Sequence, residues 1–407
     1  MWIKSQLKQK SITKLFFKQL ILSMTLLCYA LVVQSADTIK LGMSAVMTGP
    51  AAALGNDMRS GIESYFEFVN NNGGIQNRQL ELTVYDDGYE PERAAFNMRK
   101  LIDEDKVLAV IGNVGTPTAI VTAPIAQEKK TLLFGAFSGG GVLRPQTVSP
   151  YIINYRPSYA EETQEMIKGL MQVGVKPEEI AFFTQRDGYG NAAYRGAISA
   201  LETYGFRDSA TLAHGRYTRN TLNVEDAVAV LLDSPITPKV VIMAGGYAPS
   251  AKFIKLLQKE LPDIWFTNVS FVGSHSLQKE LAENTNNVIV MQVVPDIESS
   301  LPIIIEYLSA LAKYNAKLEP NTVSLEGFII AKIFCQGLDR IKGNVTRKSI
   351  IDAIETLGAI DIGLGVDIYY DKLDHQAIHT LWMTSMVDGM SEPFTWDMMI
   401  LDKGVDE

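Results

Sequence analysis

Beyond its first 37 residues the chain alternates short apolar runs with amphipathic stretches of helical period. Thr38 to Met43 reads as a strand. Ile62, Tyr65, Phe66 and Val69 then mark one face of a helix that Gly73-Gly74 ends. Leu80, Leu82 and Val84 alternate as the next strand. Glu90-Pro91-Glu92 opens a helix whose inward face is Ala94, Ala95, Met98, Leu101 and Ile102, since proline and acids both suit a first turn. Val107 to Gly112 returns as a buried strand, and Thr131 to Phe134 as another. The unit repeats with a helix from Glu161 to Val173, strand Ile180 to Gln185, a helix from Asn191 to Tyr204 and strand Val240 to Ala244. A helix near Ala251 to Lys259 and a strand near Phe271 and Val272 continue it. Such alternation predicts parallel sheets covered by helices on both faces.

The N-terminal segment breaks the pattern. Lys4, Lys8, Lys10, Lys14 and Lys18 precede an apolar run from Leu20 to Val33, and no acid occurs among them. This is the layout of a secretory signal peptide over residues 1–35, with small residues Ser35 and Ala36 at the cleavage site. The run falls short of the roughly 20 residues a membrane-spanning helix needs. Leu27 before Cys28 is too large for a lipid-modification site. Loss of five lysines takes the formal charge from −9 to −14, which argues against nucleic acid or an anionic membrane as partner. About 370 remaining residues exceed one ordinary core and predict two α/β lobes. Cys335 is then the single cysteine, so no internal disulfide forms, and its apolar helical setting makes it a core residue.

Catalytic constellations are missing. No dinucleotide or phosphate-loop glycine motif and no nucleophile elbow follows a strand. His375 and His379 are spaced like a zinc pair, but their flanks alternate as a strand, where positions four apart lie roughly 13 Å from each other. Asp86-Asp87 reads as a strand end and turn rather than an acid/base pair. The sequence therefore predicts no enzyme, cofactor or metal. Binding chemistry fits better, because a strand end leading into a helix offers free backbone N–H groups to an anion. Four loops have this form: Gly115-Thr116-Pro117-Thr118, Ser138-Gly139-Gly140-Gly141, Asp187-Gly188-Tyr189-Gly190 and Gly245-Gly246-Tyr247. The Thr116 hydroxyl could cap its helix or bind a carboxylate. In open α/β sheets ligands bind beyond the carboxyl ends of strands, so two lobes with such edges facing each other make a cleft.

Met47-Thr48-Gly49-Pro50, Asn71-Asn72-Gly73-Gly74-Ile75, Tyr85-Asp86-Asp87 with Pro91 and Ala94, Val110-Ile111-Gly112, Gly188-Tyr189-Gly190 and Gly245-Gly246-Tyr247 occur in that order. The ordered set resembles the type I periplasmic binding proteins, similar to the leucine/isoleucine/valine-binding proteins of ABC importers, from about Ile39 to Trp382. The resemblance implies two doubly wound, Rossmann-like lobes joined by a three-crossover hinge near Pro157, Gln292 and Gln376. One lobe would take residues 37–157 and 293–375, the other 158–292 and 376–407. It also implies a periplasmic protein that captures a small polar ligand (an amino acid, amide or related carboxylate) and presents it to an inner-membrane ABC permease, or alternatively to a signalling receptor. Thr116, with Ser138 and Gly139, would hold the ligand carboxylate, and Tyr189 and Tyr247 would close over it. Where relatives carry an acid for the ligand ammonium, this chain reads Gly273-Ser274-His275-Ser276, and His275 suits a neutral or acidic group better.

Overall fold

The computed structural model describes residues 38–387 and 390–401; the segment read as a signal peptide, with Cys28, lies outside the described residues. Strands β1 (Ile39–Ala45), β2 (Leu80–Asp86), β3 (Ala109–Ile111), β4 (Leu132–Phe134) and β5 (Ile152–Ile153) form an all-parallel sheet in the order β2-β1-β3-β4-β5. A second sheet takes β6 (Ile180–Gln185), β7 (His214–Tyr217), β8 (Val240–Ala244), β9 (Trp265–Asn268) and β10 (Val288–Gln292), all mutually parallel. A small antiparallel pair, β11 (Gly358–Ile360) with β12 (Ile368–Tyr370), stands apart. The last strands, β13 (Trp382–Val387) and β14 (Met390–Pro393), return to the second sheet and extend it antiparallel, in the order β14-β13-β10-β9-β8-β6-β7.

Burial explains the strand sequences. All six residues of β6 and all five of β8 and β10 are buried, as expected of parallel strands covered on both faces. The helices start where local chemistry lets them. Helix Pro91–Asp103 has proline in its first turn and buries Ala94, Met98, Leu101 and Ile102. Helix Tyr159–Gln172 opens on a reciprocal capping box between Ser158 and Glu161. Cys335 is buried in helix Thr322–Asp339, where burial pushes its thiol pKa well up.

The chain passes between the sheets three times, after β5, after β10 and after β12. After β10, helices Pro302–Tyr314 and Thr322–Asp339 pack back on helix Ala52–Asn71 of the first sheet. The passages are tied together. Asn154 bridges Gln376, and the Tyr155 hydroxyl donates to the Val293 carbonyl at 3.0 Å.

Two expectations from sequence are corrected. Phe271 and Val272 belong to a 3-10 turn, Ser270–Val272; the strand is β9, ending at Asn268, and the two side chains are apolar because they are buried beyond its end. The segment around His375 and His379 is a loop, not a strand. His375 Nδ1 lies 3.0 Å from the Ser149 carbonyl, while His379 Nδ1 lies 2.9 Å from Gln376 Nε2.

Candidate functional site

The four loops singled out above all lie at carboxyl ends of parallel strands. Thr116 follows β3, Ser138 follows β4, Tyr189 follows β6 and Tyr247 follows β8. Gly115, at φ 101°, stands before helix Thr116–Glu128 and supplies the left-handed backbone that the turn needs. Thr116 does not cap that helix. Its Oγ1 lies 2.7 Å from Ser138 Oγ, which also accepts the Gly140 N–H at 3.1 Å, and Thr118 instead donates back to the Val114 and Gly115 carbonyls. Missing side chains make this closeness possible: a Cβ on Gly140 would sit 2.6 Å from Thr116 Cγ2, and one on Gly139 2.7 Å from Tyr159 Cδ1. The result is a hydroxyl pair beside a helix N-terminus, chemistry suited to an anionic oxygen.

Aromatic rings face this cradle from both sheets. Tyr189 is fully buried, with its ring centroid 5.1 Å from Tyr159 and 4.7 Å from Phe271. Phe271 lies 5.3 Å from Phe137 and 6.1 Å from Tyr89, both of which follow strands of the first sheet. The Tyr189 hydroxyl donates to the Gly245 carbonyl at 3.4 Å. Burial raises the hydroxyl pKa of Tyr159 to about 12 and that of Tyr189 well above its ordinary value, so both are neutral hydrogen-bonding groups. Tyr247 sits further along the same edge and accepts the Ala53 N–H from the first lobe at 3.4 Å.

Charged groups are buried beside these rings. Arg156 and Glu326 form a buried pair, with Nε–Oε1 at 2.9 Å and Nη2–Oε2 at 2.7 Å, and the guanidinium carbon lies 4.1 Å from the Phe137 ring centroid. Glu162 is buried and accepts from Ser270 N at 2.6 Å and Ser270 Oγ at 2.9 Å. Burial outweighs the nearby Arg156 charge and those bonds, so its pKa rises to about 7. Asp86 and Asp87 act as turn formers. Asp86 accepts from Met47 N–H and Gly88 N–H, and Asp87 from Ser44 Oγ and Tyr89 N–H.

Thr116, Ser138, Gly139 and Tyr189 are thus brought together, and Tyr247 lies on their edge. His275 is not with them. It approaches Glu319 at 3.2 Å and lines a separate cavity of about 510 Å³ with Gln292, Asn321, Trp382 and Phe394. Burial and Lys279 lower its pKa against the opposing effect of Glu319. Sequence reasoning misses Tyr89, Arg156, Tyr159, Phe271 and Glu326. The capping box beside Tyr159 is a readable signal; the Arg156–Glu326 pair, 170 positions apart, is not.

A sequence model of the periplasmic binding protein family matches residues 38–390. The Leu/Ile/Val-binding protein homolog 7 of Brucella abortus is 24% identical over 359 residues, 81% of this chain and 83% of that protein. The crystal structure of a possible leucine/isoleucine/valine-binding protein from Rhodopirellula baltica is similar at 44% identity and a TM-score of 0.87, covering 89% of this chain and 97% of that one. A leucine binding protein from Thermotoga maritima shares the fold with a TM-score of 0.76 at 18% identity, over 88% of this chain and 98% of that one.

Proposed function

The chain belongs to the periplasmic binding protein family, and we propose that within it this protein is the substrate-binding component of an ABC importer, capturing a small polar solute between its lobes. The family and these relatives are solute-binding proteins, not enzymes. Among the described residues no helix is long and apolar enough to cross a membrane. The partner in this reading is an inner-membrane permease. We assign residues 37–157 with 293–375 to one lobe and 158–292 with 376–407 to the other, and take residues 1–35 as the export signal.

The observation that carries this reading is the Thr116–Ser138 hydroxyl pair on one sheet's edge facing Tyr189 and Phe271 on the other's. A carboxylate docked on the hydroxyls and on the helix N-terminus would be covered from the second lobe. Contacts that exist only while the lobes are together would make the loaded form distinct to a partner: Tyr247 to Ala53, Arg219 to Glu90 and Gln185 to Tyr89. A thermal-shift screen across amino acids, amides, small carboxylates, polyamines and nucleobases tests it. A ligand of the native state raises the melting temperature, and absence of any stabilising solute would reject the reading.

A further inference from the structure

The cavity of about 510 Å³ that His275 lines lies apart from the Thr116–Ser138 hydroxyls, where the chain makes its second and third passages between the sheets. Its walls come from both halves of the molecule. Asp296, Glu298 and Asn321 stand on the stretch that leaves β10 and leads into helix Thr322–Asp339, which packs on helix Ala52–Asn71 of the first sheet. Ser274 opens helix Ser274–Leu281, Trp382 begins β13 and Phe394 follows β14, all on the side of the second sheet. The volume is that of a site for a small organic molecule.

Two properties of the wall select an occupant. One is its apolar, aromatic surface. Phe394 is already engaged edge-on with Trp396, at 5.7 Å between centroids and 85° between planes, whereas Trp382 is half-buried and in no ring pair among the described residues. The other is charge. Asp296 and Glu298 line the cavity and no lysine or arginine does. Neither acid forms an ion pair among the described residues; Asp296 accepts the Glu298 N–H at 3.0 Å. The remaining titratable residue of the lining, His275, is held towards its neutral form by burial and by Lys279, and Lys279 is turned to Glu319 at 2.5 Å. Other polar groups on the wall are occupied with one another. Asn321 Oδ1 accepts the Val323 and Ser324 N–H groups, Gln292 donates to Thr384 Oγ1 at 2.9 Å, and the Ser274 and Thr322 hydroxyls lie 3.2 Å apart. A ligand that needs many directed hydrogen bonds finds few here. One that carries a diffuse positive charge on an apolar body finds an unpaired indole and two carboxylates without a counter-ion.

We infer that this cavity is a second binding site, separate from the interlobe cleft, for a small organic cation of the tetraalkylammonium class, its charge set against Trp382 beside Asp296 and Glu298.

Calorimetry on the purified protein with three compounds of similar shape tests it: benzyltrimethylammonium, its charge-reversed counterpart phenylmethanesulfonate, and neutral benzyl alcohol. We expect the ammonium to bind about tenfold tighter than the alcohol and about a hundredfold tighter than the sulfonate. Trp382→Leu keeps an apolar side chain but removes the indole, and should weaken the ammonium about tenfold or more. If that variant does not fold, the double variant Asp296→Asn with Glu298→Gln, on a stretch that is only partly buried, should weaken it about fivefold or more. Unchanged affinity in either folded variant, or affinity for the alcohol or the sulfonate equal to that for the ammonium, overturns the assignment. Weaker binding of the ammonium by Thr116→Ala also overturns it, because the cation would then occupy the interlobe cleft. Absence of binding overturns the second site alone; the cleft reading stands or falls with the thermal-shift screen.

Discussion

The seam inside the first lobe and the seam between the lobes are made from opposite materials. Helices Ala52–Asn71 and Thr322–Asp339 meet backbone to backbone: a Cβ on Gly61 would lie 1.9 Å from the Ser324 carbonyl oxygen, and one on Gly327 2.3 Å from that of Met58. At these points no side chain separates the helices, so two segments far apart in the chain are locked into one body. Between the lobes, beside the buried ring contacts of Phe271 with Phe137 and Tyr89, the polar contacts are made by the tips of side chains. Arg219 reaches Glu90 at 2.7 Å and Asp187 at 3.3 Å, Asn220 reaches Glu90 at 2.7 Å, and the Tyr247 hydroxyl meets Ala53 N–H at 3.4 Å. Such polar contacts exchange readily for water, whereas the glycine seam brings backbone against backbone along two helices. Rigid lobes and a separable boundary are what capture by closure requires.

Substitutions should separate the two seams. Gly61→Leu forces a side chain into the helix contact and is expected to cost about 5 kcal/mol or more, enough to abolish the folded population in a urea titration. Glu326→Ala leaves Arg156 buried without its partner and should cost about 3–5 kcal/mol in the same measurement. Glu162 sets a pH dependence. Its pKa is raised by burial from 4.5 to about 7, so its contribution is fully present below pH 4.5 and is lost as pH rises through about 7. Asp57 and Asp87, raised by burial to about 6, also lose stability in this range, so the test is a difference: from pH 4.5 to 8 the unmodified protein should decline by about 3 kcal/mol more than Glu162→Gln does. Thr116→Ala touches the cleft alone: affinity for the stabilising solute should fall by about 1.5–3 kcal/mol in calorimetry, with the melting temperature nearly unchanged. Arg219→Ala should be mildest, under about 1 kcal/mol, seen as a small loss of affinity and a larger radius of gyration in solution scattering.

Much of the cleft is legible in the chain because strand and helix periods reveal a βα order, and that order alone puts Thr116, Ser138, Tyr189 and Tyr247 at carboxyl ends of strands. Phe271 reads as part of a strand because a short buried apolar run looks the same in a strand and in a turn beneath a lobe. His275 follows the expected loop in sequence, yet the helix it enters, Ser274–Leu281, carries it toward Glu319 and away from the hydroxyl pair. The antiparallel β13 and β14 leave no comparable signal, because Trp382 pairs with Gln292, far back in the chain.

Local periodicity and residue chemistry are enough to establish the two α/β layers, the edge on which binding loops gather and the lack of a catalytic motif, since each of these is written over a few neighbouring turns of chain. Packing was needed to pair Arg156 with Glu326, to bury Glu162 under Ser270 and to bring rings from both lobes together around Phe271. Those facts depend on which distant segments are pressed together and cut off from water. Desolvation sets both the pKa of Glu162 and the cost of an unpaired donor, and it is a property of the packed molecule rather than of any stretch of its chain.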